Sequence, residues 1–343
     1  MLTTILSGGL IGLIFGFILQ RTRFCLTGGF RDMYIARNNT LFYAFLIAIT
    51  VESIGVLSLI KLGIIGNPYE EFSVLGAIVG SYLFGIGIVL AGGCATGTWY
   101  RAGEGLLGSW VALFFYMTSA AAMKSGFLVP LNQLIAKRWV INDDLAGQLG
   151  IPVWYLLVFL VAITSFIVIR ELRKPRRQIA TLPSKYKGVR HYLFEKTYHK
   201  YFAGFLIGLV ALIAWPASQL TGRVGGLGIT TPSAHLISYI ITGDSKQLGW
   251  GVFLVLGIFL GSFLAAKGSR EFRWRLPDLS TIGKSTLGGI FMGIGASWAG
   301  GCTIGNGLTA TAIFSSKGWI ALPVTILGVW TASHIIFVKP NKN

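Results

Sequence analysis

Ala91-Gly92-Gly93-Cys94-Ala95-Thr96-Gly97-Thr98 recurs further along the chain as Ala299-Gly300-Gly301-Cys302-Thr303-Ile304-Gly305-Asn306. Each copy ends an apolar run. The runs match too, since Gly85-Ile86-Gly87 aligns without a gap on Gly293-Ile294-Gly295. This is an internal repeat. The chain has three cysteines, and two of them hold the same place in the two copies. The third, Cys25, follows the first apolar segment in Arg21-Thr22-Arg23-Phe24-Cys25-Leu26-Thr27-Gly28-Gly29. Thiols are few and sit at breaks.

The surroundings of these breaks set the class. Hydrophobic residues make up 53% of 343 and charged residues 12%, and the mean hydropathy is +0.68, as in a polytopic membrane protein. The 46 glycines point to close helix contacts and non-helical breaks within lipid. A formal charge of +17 would suggest nucleic acid in a soluble protein. Here the basic residues cluster between apolar runs, as membrane orientation requires, and no nucleic-acid module is present. The cysteines form no CxxC pair and are not spaced with His191, His199, His235 or His334 as zinc ligands, so free thiols are expected, with no metal and no cofactor. The first apolar run lacks a basic leader and a small-residue cleavage site, and reads as a first spanning helix.

Spans of mainly apolar residues fit 4–20, 41–61, 72–92, 106–123 and 151–170, then 201–217, 249–266, 284–301 and 318–338. The expected fold class is therefore an all-α polytopic membrane protein with about nine transmembrane helices. Glycines four apart, such as Gly12 and Gly16, Gly76 and Gly80, or Gly204 and Gly208, predict tight helix packing. Residues 171–200 carry nine Lys and Arg against Glu171 and Glu195 and are expected in the cytoplasm, with the N-terminus outside and the C-terminus inside. Residues 1–170 and 201–343 then form two transmembrane repeats of opposite orientation. Such inverted repeats bring broken helices together near the bilayer midplane, around a substrate. The connections 25–40, 125–150 and 218–248 are candidates for short re-entrant or buried loop helices.

A lone buried cysteine is ordinarily a small hydrophobe. Three at glycine-flanked breaks, two of them related by a repeat, point instead to a substrate path through Cys25, Cys94 and Cys302, with Gly92, Gly93, Gly300, Gly301, Thr96 and Asn306 beside them. A soft cation such as Cu(I) is the rival occupant, but Arg23 and Arg101 would repel it. An anion suits backbone N–H groups at glycine-rich breaks, and a protonated thiol adds a weak S–H donor, which favours a soft, sulfur-bearing anion. Arg101 and Glu104 are expected to form a local pair that positions the first motif, and Arg223 to draw anions at the outer side. Glu52, inside the second span, reads equally as a proton-coupling carboxylate or as one held by a neighbouring donor.

The segment 20–33, the run 85–105 and the segment 299–307 together resemble the YeeE/YedE family of sulfur-compound membrane transporters, over nearly the whole chain. The resemblance implies an hourglass-like helical protein of nine spans with loops buried toward its centre. It implies thiosulfate uptake across the bacterial inner membrane, guided by Cys25, Cys94 and Cys302, and a small cytoplasmic sulfurtransferase as partner. Two other functions stay open: transport of another sulfur or selenium compound, and a membrane sulfurtransferase with a persulfide on cysteine. The absence of a resolving cysteine or an adjacent histidine counts against the second.

Overall fold

A computed structural model describes residues 1–174, 188–196 and 198–339. Residues 175–187 and 197 of the basic segment 171–200 therefore lie outside the described residues. The helices are α1 (Leu2–Thr22), α2 (Leu26–Ile35), α3 (Thr40–Lys61), α4 (Val74–Leu90), α5 (Ala95–Gly103), α6 (Leu107–Ser125), α7 (Val129–Ala136), α8 (Leu145–Leu149), α9 (Val153–Leu172) and α10 (Val189–Phe194). They continue with α11 (Lys200–Gln219), α12 (Thr230–Thr242), α13 (Trp250–Gly268), α14 (Leu279–Trp298) and α15 (Ser316–Ser333). A wide turn, Gly305–Ala310, precedes α15. The strands β1 (Glu71–Ser73) and β2 (Val140–Asn142) form one short antiparallel pair.

Each of the nine apolar runs falls on one helix of 17 to 22 residues. Among the described residues, seven helical segments are long and apolar enough to cross a membrane, and the bent pair α6 and α7 makes an eighth. The chain is thus a mostly helical multi-pass membrane protein. The ninth run lies on α14, whose composition is diluted by glycine, serine and threonine. Helix starts follow ordinary capping chemistry. The Ser73 hydroxyl accepts from the Gly76 N–H at 3.1 Å, Asp278 caps α14, and Ser315 accepts from the Gly318 N–H at 3.2 Å.

The element order repeats. The series α1, α2, α3, α4, α5, α6 corresponds to α11, α12, α13, α14, the turn 305–310 and α15, with α9 between the two sets. Packing repeats with it: α1 lies along α13 as α11 lies along α3, and α14 lies along α6 as α4 lies along α15. Along their seam α4 and α14 run antiparallel. A Cβ added at Gly76, near the start of α4, would meet the carbonyl of Trp298, the last residue of α14, whereas one at Gly87 would meet Met292 and Gly288. The Lys200 ammonium at the start of α11 donates to the Thr22 carbonyl at the end of α1, at 2.6 Å.

Glycine makes these seams possible. On α1, a Cβ at Gly12 or Gly16 would collide with the Leu254 or Ile258 carbonyl of α13, and one at Gly204 with the Ala44 carbonyl of α3. Two of the long connections carry short helices, as the sequence predicts: α2 and α12 pack against α15 and α6 respectively. The third, 125–150, holds α7, β2 and α8, and most of α7 is exposed or half-buried.

Candidate functional site

Each of the three cysteines follows a break between helices, and the breaks of Cys94 and Cys302 are related by the repeat. Gly92 and Gly300 take φ of +70° and +69°, the left-handed conformation that ends α4 and α14 at no side-chain cost. At the first break Arg23 adopts φ +51° instead. The chain then turns into a new helix. The carbonyls of Cys25, Cys94 and Cys302 accept from the N–H groups of Gly29, Thr98 and Asn306 at 2.9, 2.8 and 2.8 Å, so each cysteine opens a helical turn. All three thiols are free and buried.

Cys94 lies within electrostatic reach of both Cys25 and Cys302. Its sulfur accepts from the Gly97 N–H at 3.4 Å. Among the described residues, no group of three or more His, Cys, Asp or Glu side chains is arranged to hold a metal ion.

Arg101 organises the first half of the site. Its Nη1 donates to the Gly92 carbonyl, its Nη2 to Cys25 Sγ at 3.4 Å, and its Nε to Tyr100 Oη at 3.4 Å. The expected pair with Glu104 is replaced, because Glu104 takes both of its 3.0 Å hydrogen bonds from Arg23 Nη1. Arg23 Nη2 reaches Glu271 at 3.0 Å. Gln20 Nε2 donates to the same carboxylate at 2.7 Å, and Arg21 lies 3.6 Å from it. This cluster lies two residues from Cys25, on the side away from the cavity described below. Burial pushes the Glu104 carboxyl above its ordinary value despite Arg23 and Arg101. For Glu271 the effect of burial is outweighed by Gln20, Arg23 and Arg21, which hold it below its ordinary value.

The opposite end is open. A cavity of about 530 Å³ reaches Cys302 and is walled by Gly300, Gly301, Asn306, Arg223, Trp215 and Lys317, among others. Arg223 spends Nη1 on the Gly225 and Gly226 carbonyls at 3.2 and 2.9 Å and lies over the Trp250 ring at 5.4 Å, so it shapes the wall as well as charging it. Asn306 is a strut. Its Nδ2 donates to the Ala299 and Gly301 carbonyls at 2.8 and 3.3 Å, and any Cβ at Gly301 would strike its side-chain oxygen. Gly93 faces Arg101, where a Cβ would find ordinary contact at 3.5 Å. The Thr96 hydroxyl is buried with no partner.

Tyr116, unremarked in the sequence, faces Cys94 and Cys302. Its hydroxyl donates to Thr230 Oγ1 at 2.9 Å. An aromatic residue on an apolar helix carries no sequence signal of such a role. Tyr100, beside Arg101 and Cys25, had only its place next to the first motif.

Comparisons with known proteins give the chain its relatives. The family model for sulphur transport matches residues 21–331. A thiosulfate transporter, TsuA, of Escherichia coli K12 is 54% identical over 342 residues, covering 100% of this chain and 97% of that protein. A thiosulfate transporter, TsuA, of Spirochaeta thermophila is 33% identical across 96% of this chain and 98% of its own. A probable transporter, YedE, of Escherichia coli K12 is 42% identical over 101 residues, 29% of this chain and 25% of that one.

Proposed function

Since the chain belongs to the sulphur-transport family, we propose that it carries thiosulfate across the bacterial inner membrane into the cytoplasm, past Cys302, Cys94 and Cys25 in that order. The observation that carries this reading is a 54% identity throughout to a thiosulfate transporter, in a chain whose three buried, free cysteines each open a helical turn at a break. Cys302 borders the open cavity, and Cys25 lies two residues from the Arg23 cluster that closes the other end.

The chemistry follows from the donors. A neutral thiol offers an S–H, a weak donor suited to the terminal sulfur of thiosulfate. Sulfate has no such atom and would lose a tighter water shell on entry. Weak contacts at successive stations let an ion enter and also leave. The Lys and Arg distribution supports an external cavity and a cytoplasmic Arg23 cluster, hence an external N-terminus and a cytoplasmic C-terminus. The antiparallel pairing of α4 with α14 supports inverted repeats over 1–170 and 201–343, joined by the cytoplasmic segment 171–200. Imported thiosulfate would then meet a small cytoplasmic sulfurtransferase. Transport without covalent chemistry is favoured, as the whole-length relatives bear the names of transporters.

The test is uptake of labelled thiosulfate by purified protein in proteoliposomes. Cys94→Ala and Cys302→Ala, each losing one donor, should insert normally and nearly abolish uptake, while sulfate competes poorly with thiosulfate in the unmodified protein. Wild-type rates in the alanine variants would move the path elsewhere, and equal uptake of sulfate would remove the role of sulfur.

A further inference from the structure

Beside each of the three cysteines stands a threonine: Cys25-Leu26-Thr27, Cys94-Ala95-Thr96 and Cys302-Thr303. Thr27, Thr96 and Thr303 are 5%, 2% and 4% exposed. Among the described residues, none of their hydroxyls has a hydrogen-bond partner. Other threonines nearby are satisfied: Thr98 donates to the Ala95 carbonyl at 2.7 Å, Thr309 to the Leu227 carbonyl at 3.0 Å and Thr311 to the Asn306 carbonyl at 2.9 Å. Buried hydroxyls are normally paired, because an unpaired one has given up water for nothing. Three exceptions, each within two residues of a cysteine, call for a common cause.

We propose that Thr27, Thr96 and Thr303 are the donors for the oxyanion end of the travelling substrate, each acting with the thiol of its own break. The inference rests on the thiosulfate reading and deepens it. At every station the ion meets two neutral donors of different character, an S–H for its terminal sulfur and an O–H for an oxygen of its sulfonate-like end. Neither donor adds a fixed charge of its own, which keeps each contact weak. Thr303 shows the arrangement best, since it shares with Cys302 and Ser81 a small cavity of about 10 Å³, room for roughly one water. Recognition then extends to soft anions that combine a terminal sulfur with oxygens, and the pairing fixes which end of the ion faces which side chain.

Valine has threonine's shape without its hydroxyl, so Thr27→Val, Thr96→Val and Thr303→Val separate structure from recognition. Removing an unpaired buried hydroxyl should leave the melting temperature in detergent unchanged or raised. Thiosulfate uptake in proteoliposomes should fall about tenfold or more in each variant, as expected for a lost hydrogen bond to an anion. Serine at the same positions should retain most of the rate. Wild-type uptake in all three valine variants would overturn the proposal, as would a loss of uptake that tracks a lowered melting temperature. Wild-type protein that takes up no thiosulfate would instead defeat the underlying reading, and the proposal with it.

Discussion

Glu52 is fully buried in α3, where a carboxylate must be paired or neutral. The sequence left open whether it moves protons or merely meets a donor, and the structure supplies the donor: Trp215 Nε1, across the seam with α11, at 2.9 Å from Oε1. Its second oxygen, Oε2, has no partner. Glu52→Ala should therefore cost about 1–3 kcal/mol, because it strands the indole N–H in a dry seam. Glu52→Gln keeps an oxygen for Trp215 and should lose much less. Melting temperatures of the two variants in one detergent check this, and an alanine variant as stable as wild type would mean that the bond contributes nothing. The same contact explains Gly226, where a Cβ would come within 2.6 Å of Trp215 Nε1. Trp215 gave no sign in the sequence that it would reach Glu52, since the two are 163 residues apart.

Between helices, spacing in the sequence converts directly into a contact. Residues four apart share a helix face, and on α1 the face of Gly8, Gly12 and Gly16 is the one against α13, while Gly9 has open space where a Cβ would go. Gly9→Ala should be neutral or slightly stabilising, since alanine is the better helix former. Gly12→Ala should destabilise by about 1–3 kcal/mol, because the added carbon forces α1 off the Leu254 carbonyl. Parallel thermal melts would distinguish them, and equal midpoints would mean that the α1–α13 seam can shift at no cost. Helices and their contact faces were thus legible from apolar length and glycine spacing. The breaks were legible too, since a repeated Gly-Gly-Cys marks the same interruption twice. What could not be read was which distant side chain arrives at a given place. Arg101 and Glu104 are three apart and looked like a local pair, yet Arg23 from another helix takes the Glu104 carboxylate and frees Arg101 for Cys25 and the Gly92 carbonyl. Tyr116 was hidden for the same reason, as its partners come from α12 and from two different breaks.

For the molecule as a whole, the two ends differ. At one, Arg23 joins Glu104 to Glu271, Arg21 Nε donates to the Leu193 carbonyl at 2.9 Å and Lys200 holds the end of α1, so residues from α1, α5, α10, α11 and the segment after α13 are tied together. At the other, the cavity of about 530 Å³ extends to Cys302. A path closed at one end and open at the other is accessible from one side of the membrane only. If the basic loops are cytoplasmic, that accessible side is the exterior. The prediction uses variants that each retain a single cysteine, exposed in intact cells to a small, membrane-impermeant methanethiosulfonate reagent. Cys302 should react from outside, slowly because it is 2% exposed, and Cys25 should not. An introduced cysteine at Arg173, placed in an otherwise cysteine-free chain, should react only after the membrane is opened. Glu271→Gln removes the carboxylate that binds Arg23 Nη2 and Gln20, so it should loosen the closed end and let Cys25 react in inverted vesicles. Faster labelling of Cys25 than of Cys302 from outside would reverse the order of the stations, and external labelling at position 173 would reverse the orientation of the whole chain.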